Sequence, residues 1–282
     1  MGVNLESRRI RRLQQQQPVS GWSRTSGSSR VDHPVRIHTL GRFAVQVYSH
    51  PMGLSLARQQ RPLDLLKALI ALGGREVHAE LLSQALWPDT DGDAAQNAFD
   101  VTLHRLRRLF DIKDLFILRD RRLTLNSNLA WVDAWAFERL VNHSERLLHL
   151  VGDPMIGRQV ARCSERLLNL YQGAFLEREA SNAWTLTLRE RLRSKLLRHM
   201  QDAGLCWEQD GNWERAIRFY RKGLEVDPLT EELYQRLIIA YRATGRRAEA
   251  IRTFHRCRLI LADQFQIAPS QQTLELFHSL KD

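Results

Sequence analysis

The sequence predicts a mainly α-helical protein with a small β part, arranged as two domains. Three observations lead to this prediction: alternating apolar and polar residues near the start, a strand-like pair that follows three short amphipathic segments, and a repeat in the second half. The length of 282 residues exceeds what one compact core usually needs. With 43% hydrophobic residues the chain can bury real cores, yet no apolar run is long enough to cross a bilayer. We therefore expect two folded domains and no membrane span.

Residues 1–34 differ in composition from the rest of the chain. They are rich in Gln, Ser, Arg and Gly, and they show no hydrophobic periodicity. This composition is typical of a disordered arm. A signal peptide would need an apolar region in this segment, so we expect a cytoplasmic protein.

Two segments predict short β-strands. Val35 to Val47 alternates apolar and polar residues and is broken once at Gly41, which indicates a pair of half-buried strands. Phe116 to Leu125 has two apolar-rich arms around a charged tip, which indicates a hairpin. No Gly supplies the usual positive backbone angle at this tip, so Asp120 would have to adopt it.

Three helices are expected between these strands. Pro62 suits the first turn of a helix that the pair Gly73-Gly74 ends, and a second helix runs from about His78 to Leu86 with Leu81, Leu82 and Leu86 as its apolar positions. Asp93 and Gln96 have the spacing of a capping box, which predicts a third helix from Ala94 to Phe110. A pair of strands, three helices and a terminal hairpin, in this order, predict a winged helix-turn-helix domain over residues 35–130.

The third helix has two chemically different faces. At roughly 100° per residue, its apolar side chains form one stripe that we expect to be buried. In the major groove of DNA, Arg can donate two hydrogen bonds to guanine, Asn can form two hydrogen bonds with adenine, and Val can contact a thymine methyl group. The opposite side carries Asn97, Val101, His104, Arg105 and Arg108, with Thr102 and Arg107 on its flanks.

The charges in this first domain are unevenly distributed. From Asp64 to Asp100 two basic residues stand against seven acidic ones, whereas from His104 to Arg122 seven basic residues stand against three acidic ones. Concentrated positive charge attracts a phosphate backbone, although a solvated charged face would give the same count. Arg107 and Arg108 suit phosphate contacts at the helix end. At the hairpin tip, three further basic residues would enter the adjacent minor groove or bind its backbone: Arg119, Arg121 and Arg122.

The second half, residues 131–282, contains long amphipathic helical stretches and an internal repeat. Small and aromatic residues recur after 34 positions, a period typical of tetratricopeptide-like helix pairs. We therefore expect an all-α helical-repeat domain. The recurring pairs are Trp207 and Tyr241, Gly211 and Gly245, Ala216 and Ala250, Tyr220 and Phe254, and Gly223 and Cys257.

Sequence runs in both halves resemble a known family. The runs LLSQALWPD at 81–89 and DAAQNAFDVTLHRLRRLF at 93–110 are similar to the DNA-binding domain, an OmpR-type winged helix, of the Streptomyces antibiotic regulatory protein family. The second half is similar to the bacterial transcriptional activator domain of such proteins. Its matching runs are YQGAFL at 171–176, DPLTEEL at 227–233 and GRRAEAI at 245–251.

This resemblance implies a cytoplasmic activator that binds direct repeats of double-stranded DNA upstream of promoters and contacts RNA polymerase. Dimerisation on the DNA is left open. The hairpin departs from the family, in which it is usually Gly-rich, and this difference favours phosphate contact over insertion into the minor groove. Carried over by position, the recognition role falls on Asn97, Thr102, His104, Arg105 and Arg107, and Trp87 would lie near the phosphate backbone.

Other classes of function have weaker support. The sequence contains no phosphate-binding G-x-x-x-x-G-K, no H-E-x-x-H and no G-x-S-x-G, so we expect neither an enzyme nor a metal or cofactor site. The remaining alternative is a helical-repeat adaptor or scaffold whose winged helix binds protein instead of DNA.

Overall fold

The computed structural model describes residues 33–52, 59–148 and 154–280, with the side chains of 154–156 excepted. All but the last two residues of the predicted N-terminal arm lie outside this range. Contacts divide the chain into two compact units. The first contains the described residues up to Ala136 together with Phe175–Arg189, and the second contains Phe137–Ala174 and the residues from Glu190 onward. The mainly helical fold class with a small β part is confirmed.

The first unit opens with a sheet of four strands: β1 (Val35–His38), β2 (Ala44–Val47), β3 (His50–Pro51) and β7 (Ala130–Val132). Their order in the sheet is β3-β2-β1-β7. β1 and β2 form the predicted antiparallel pair, with Val35 opposite Val47. The strand β7, which the sequence did not predict, lies parallel to β1 on its other edge.

Three helices follow in the first unit: α1 (Gln60–Ala71), α2 (Ala79–Leu86) and α3 (Gly92–Phe110). Their apolar faces form one core, in which Leu66, Leu82 and Phe99 are fully buried. Leu81, expected among the apolar positions of α2, is instead 45% exposed. Gly74 has φ +76°, and a Cβ there would lie 2.2 Å from the Trp135 ring. Only glycine therefore fits this turn after α1.

The predicted hairpin is present as β5 (Phe116–Arg119) and β6 (Arg122–Leu125). It is part of a three-stranded sheet, because β4 (Val77–His78), immediately before α2, pairs with β6. The two-residue turn has positive φ at both Asp120 (46°) and Arg121 (58°). Asp120 thus adopts the predicted conformation, and Arg121 shares it.

A buried carboxylate joins the end of β1 to the start of α4 (Asp133–Leu148). Asp133 is 2% exposed and accepts hydrogen bonds from the backbone N–H and the hydroxyl of Thr39 at 2.8 and 2.6 Å, and from the N–H of Leu40 at 2.9 Å. The backbone that follows β1 also pairs with Phe175–Leu176. Leu40 forms a β-bridge with Phe175, and the Leu176 N–H donates a hydrogen bond to the Thr39 carbonyl at 2.8 Å. The FL pair of the YQGAFL run is therefore part of the first unit's core.

The second unit is helical. It contains α5 (Pro154–Leu170) and the larger parts of α4 and of α6 (Ala183–Gln209), which both begin in the first unit. Its other helices are α7 (Trp213–Val226), α8 (Glu231–Ala243), α9 (Arg247–Phe265) and α10 (Gln271–His278). The predicted repeat corresponds to helix pairs: the end of α6 with α7, and α8 with α9. Gly211 and Gly245 occupy equivalent turns with φ of 70° and 71°. The side chains at the other equivalent positions are buried in both copies of the repeat.

A small polar cluster lies inside the second unit. The His199 imidazole on α6 is 1% exposed, and its Nε2 is 2.8 Å from the Ser164 hydroxyl, which also donates to the Val160 carbonyl. Nδ1 of His199 has no hydrogen-bond partner among the residues that the structure describes. Burial lowers the pKa of His199 from 6.5 to about 4. The imidazole is therefore neutral in the folded protein near pH 7.

Among the described residues, no helix is both long and apolar enough to cross a membrane. The same part of the chain contains no group of three His, Cys, Asp or Glu side chains arranged to hold a metal ion.

Candidate nucleic-acid interface

The helix α3 begins earlier than the sequence predicted. It starts at Gly92, and the preceding residue, Asp91, makes no capping hydrogen bond through its side chain within the described part of the chain. The predicted capping box of Asp93 and Gln96 is therefore wrong, since both residues lie within the helix. The C-terminus agrees with the prediction: the helix ends at Phe110, and Asp111 follows in the left-handed conformation.

The buried stripe of α3 is the predicted one. Phe99, Leu106 and Phe110 are fully buried, and Leu103 is 2% exposed. The stripe fixes α3 against α1 and α2, so the side chains on its opposite face point away from the core.

The opposite face is exposed along most of its length. Four polar side chains are exposed there: Asn97, His104, Arg105 and Arg108. Val101, which lies between them on the helix, is 42% exposed. Within the described residues, the four polar side chains make no hydrogen bond or ion pair with the rest of the protein. Their amide, imidazole and guanidinium groups are therefore available to an external ligand. We call these five residues the exposed face of α3.

Two residues predicted on the flanks of this face, Thr102 and Arg107, contact other parts of the first unit. Thr102 is only 6% exposed, because the helix rotation places it beside the buried stripe. A side chain this buried presents little surface to DNA, and the role of Thr102 as a DNA contact stays a prediction. The Arg107 guanidinium donates a hydrogen bond to the Phe116 carbonyl on β5 at 2.9 Å. This bond ties α3 to the hairpin, so Arg107 has a structural contact that the sequence did not indicate.

The three arginines of the hairpin differ in their contacts. Arg119 and Arg122 are exposed and stand directly opposite each other across the β5–β6 pair. Like charges in this position repel, and a bound anion would relieve the repulsion. Arg121 instead forms an ion pair with Asp100 on α3 at 3.3 Å, and its guanidinium carbon lies 5.7 Å from the centre of the Phe99 ring. In this structure Arg121 is thus directed at α3.

Trp87 lies at the corner between α2 and α3 and is half-buried. It lines an open concavity with Glu80, Gln84 and Gln96. The turn that follows is acidic, with Asp89 and Asp91 exposed. The role of Trp87 beside a phosphate backbone stays a prediction.

Sequence reasoning missed Asp100 and its pairing with Arg121. The spacing of 21 residues gives no local signal for this pair, since a helix and a hairpin must first pack together to create it. The contact shows that the hairpin tip lies beside the third turn of α3.

Comparisons with known proteins extend the description. Residues 132–281, more than half of the chain, match the family described as the bacterial transcriptional activator domain. A search of curated protein sequences found no match.

One solved structure with a similar fold is that of Mycobacterium tuberculosis EmbR in complex with a low-affinity phosphopeptide. The TM-score is 0.67 at 18% sequence identity, and the alignment covers 89% of this chain and 65% of EmbR. At this identity the likeness concerns the fold alone.

Proposed function

Because the chain belongs to the bacterial transcriptional activator domain family, as its sequence resemblance predicted, we propose that it is a DNA-binding transcriptional activator. Helix α3 enters the major groove of double-stranded DNA and reads base edges through its exposed face. The observation that carries this proposal is the chemistry of that face. Amide, imidazole and guanidinium groups that have no partner in the described part of the chain surround an exposed valine, on a helix whose other side is buried.

Each group has a definite partner in the groove. Arg105 near the centre of the face suits a guanine, Asn97 an adenine and Val101 a thymine methyl group. Arg108, one turn nearer the helix end, suits a phosphate, as do Arg119 and Arg122 at the hairpin tip. Phosphate contacts of this kind position the helix, and base contacts determine the sequence that it prefers.

The family resemblance supports the finer part of the proposal. Members bind direct repeats near promoters and contact RNA polymerase, and we propose the same for this chain, with the second, helical-repeat unit as the site of protein contact. Binding as a homodimer would place one copy on each repeat. A protein with these targets in a bacterium acts in the cytoplasm, where the chromosome lies.

The salt dependence of binding to random duplex DNA tests the proposal. If six or more phosphates are contacted, the log-log slope of affinity against salt concentration is roughly −5 or steeper. An adaptor whose winged helix binds protein would show a slope near zero, and that result would overturn the proposal.

Alanine variants of Arg105 and Arg108 distinguish a base contact from a phosphate contact. We expect Arg105→Ala to cost about 1–3 kcal/mol on the preferred site and to relax the preference at one base pair. Arg108→Ala should weaken binding equally on every duplex and reduce the salt slope by about one. Equal weakening by both variants would make Arg105 another phosphate contact.

A further inference from the structure

The ion pair between Asp100 and Arg121 lies at the edge of the exposed face of α3. On a helix, residues three and four apart are surface neighbours, so Asp100 is next to Asn97 and His104. Its carboxylate is 48% exposed. A carboxylate in this place would be repelled by DNA phosphates unless it met a hydrogen-bond donor. In the major groove, the amino group N4 of cytosine is the donor that aspartate accepts from.

The geometry of Arg121 directs the carboxylate. The Arg121 guanidinium donates to Oδ1 of Asp100 at 3.3 Å, which partly neutralises the charge. The Gln96 amide approaches Oδ2 at 3.4 Å, a long and weak contact. One carboxylate oxygen is therefore held by the hairpin, and the other retains capacity to accept a hydrogen bond.

The hairpin turn holds Arg121 in an unfavourable backbone conformation to make this contact. A φ of 58° is uncommon for arginine, and glycine is the usual residue at this position of such turns. Three contacts offset the strain. The Arg121 carbonyl accepts the N–H of Ala79 at the start of α2 at 2.8 Å, and the side chain reaches both Asp100 and the Phe99 ring.

We propose that Asp100 determines specificity by accepting a hydrogen bond from a cytosine in the operator, and that Arg121 is the residue that positions its carboxylate. This inference rests on the proposed function, since it assumes that α3 lies in the major groove. It assigns different roles to neighbouring arginines: Arg121 acts through Asp100, whereas Arg119 and Arg122 contact phosphates.

The test begins with the full chain and a randomised duplex library at a fixed salt concentration. The selected operator should contain a C·G pair whose replacement by any other pair lowers affinity roughly 5- to 150-fold. Asp100→Ala should remove this preference. Asp100→Asn, which keeps the shape of the side chain, should shift the preference to A·T, because an amide bonds adenine at two positions.

Arg121→Gln tests the positioning role. It should weaken the preference at the same C·G pair, and it should have no further effect on that preference in the Asp100→Ala background. The matched control is Arg122→Gln, which should lower affinity equally on every sequence. Equal lowering by Arg121→Gln would show that Arg121 contacts phosphate or only supports the fold, and would overturn its positioning role.

The outcomes separate this inference from the proposed function. If the wild-type chain selects no sequence, DNA reading by α3 fails and the inference fails with it. If an operator is selected and Arg105→Ala relaxes one base pair, but Asp100→Asn and Asp100→Ala keep the wild-type preference everywhere, only the assignment of Asp100 is wrong.

Discussion

At the scale of single residues, the rotation of α3 about its own axis determines which of its side chains face the core. The stripe from Phe99 to Phe110 follows directly from helical spacing, and it is buried as expected. Thr102 and Arg107 lie at the edges of the stripe, where a small rotation of the helix decides between core and solvent. Periodicity does not resolve that rotation, because it depends on which neighbouring elements pack against the helix.

At Gly204, the packing of a neighbouring ring leaves no room for a side chain. A Cβ at this position of α6 would lie 2.2 Å from Cε1 of Tyr220, whose ring is buried against it and whose hydroxyl donates to Glu208 at 2.6 Å. We expect Gly204→Ala to lower the free energy of unfolding by about 1–3 kcal/mol, because the ring has no room to move. Urea unfolding followed by circular dichroism measures this change.

Gly157 in α5 is the matched control for Gly204. A Cβ there would make only an ordinary contact, at 3.4 Å from Oδ2 of Asp210. Gly157→Ala should leave stability unchanged or raise it by up to about 1 kcal/mol, because alanine is the better helix former. An equal loss in both variants would contradict the packing explanation.

His199 makes stability depend on pH. Its folded pKa of about 4 lies below the ordinary value of 6.5, so between these values the unfolded chain binds a proton that the folded chain does not. The free energy of unfolding is therefore highest above pH 6.5 and decreases by about 3 kcal/mol as the pH falls to 4.

Urea unfolding at several pH values, with His199→Gln as the reference, isolates this contribution. The glutamine does not titrate, so the difference in stability between the two proteins should change with pH only through His199. A difference that stays constant from pH 7 to pH 4 would show that the imidazole is protonated equally in both states.

At the scale of elements, the sequence predicted the helices of the first unit, the β1–β2 pair and the hairpin, but not the short strands β3, β4 and β7 or the contacts that join these elements. The strands β1 and β2, the three helices and the hairpin all follow from local patterns. The strand β7 and the bridge to Phe175 do not, because each depends on pairing with β1 from far along the chain. Local patterns also misplaced the start of α3, where a plausible capping box lies inside the helix.

Asp133 connects two elements of the first unit, β1 and α4. Its buried carboxylate accepts hydrogen bonds from three groups of Thr39 and Leu40, two backbone N–H groups and one hydroxyl, and fixes the end of β1 to the start of α4. We expect Asp133→Asn to lower the free energy of unfolding by about 2 kcal/mol or more, because the amide replaces an acceptor by a donor that faces N–H groups. Thermal unfolding provides the measurement.

Thr39→Val serves as the comparison for Asp133→Asn. It removes a single donor to the carboxylate and keeps the backbone bonds, so its cost should be the smaller of the two. A larger cost for Thr39→Val would mean that packing at Thr39, and not the carboxylate, holds β1 and α4 together.

At the scale of the whole molecule, the repeat and the family resemblance predicted the order of domains. The repeat period of 34 residues located the helix pairs of the second unit because equivalent small and aromatic residues fill equivalent places in each pair. The inclusion of Phe175–Arg189 in the first unit could not be read from periodicity. It arises from β-bridge and backbone hydrogen bonds that carry no sequence pattern.

Photocrosslinking to a bound operator tests the central claim most directly. A photoreactive group is attached to Val101→Cys at the centre of the exposed face of α3 or, as the control, to Leu259→Cys on α9, where the native side chain is 70% exposed. Both variants carry Cys206→Ser, because that native thiol is free and half-buried. We expect position 101 to crosslink to bases at one place in each repeat and position 259 to crosslink to none. Bound protein that yields no base crosslink from position 101 would contradict the assignment of α3 as the recognition helix.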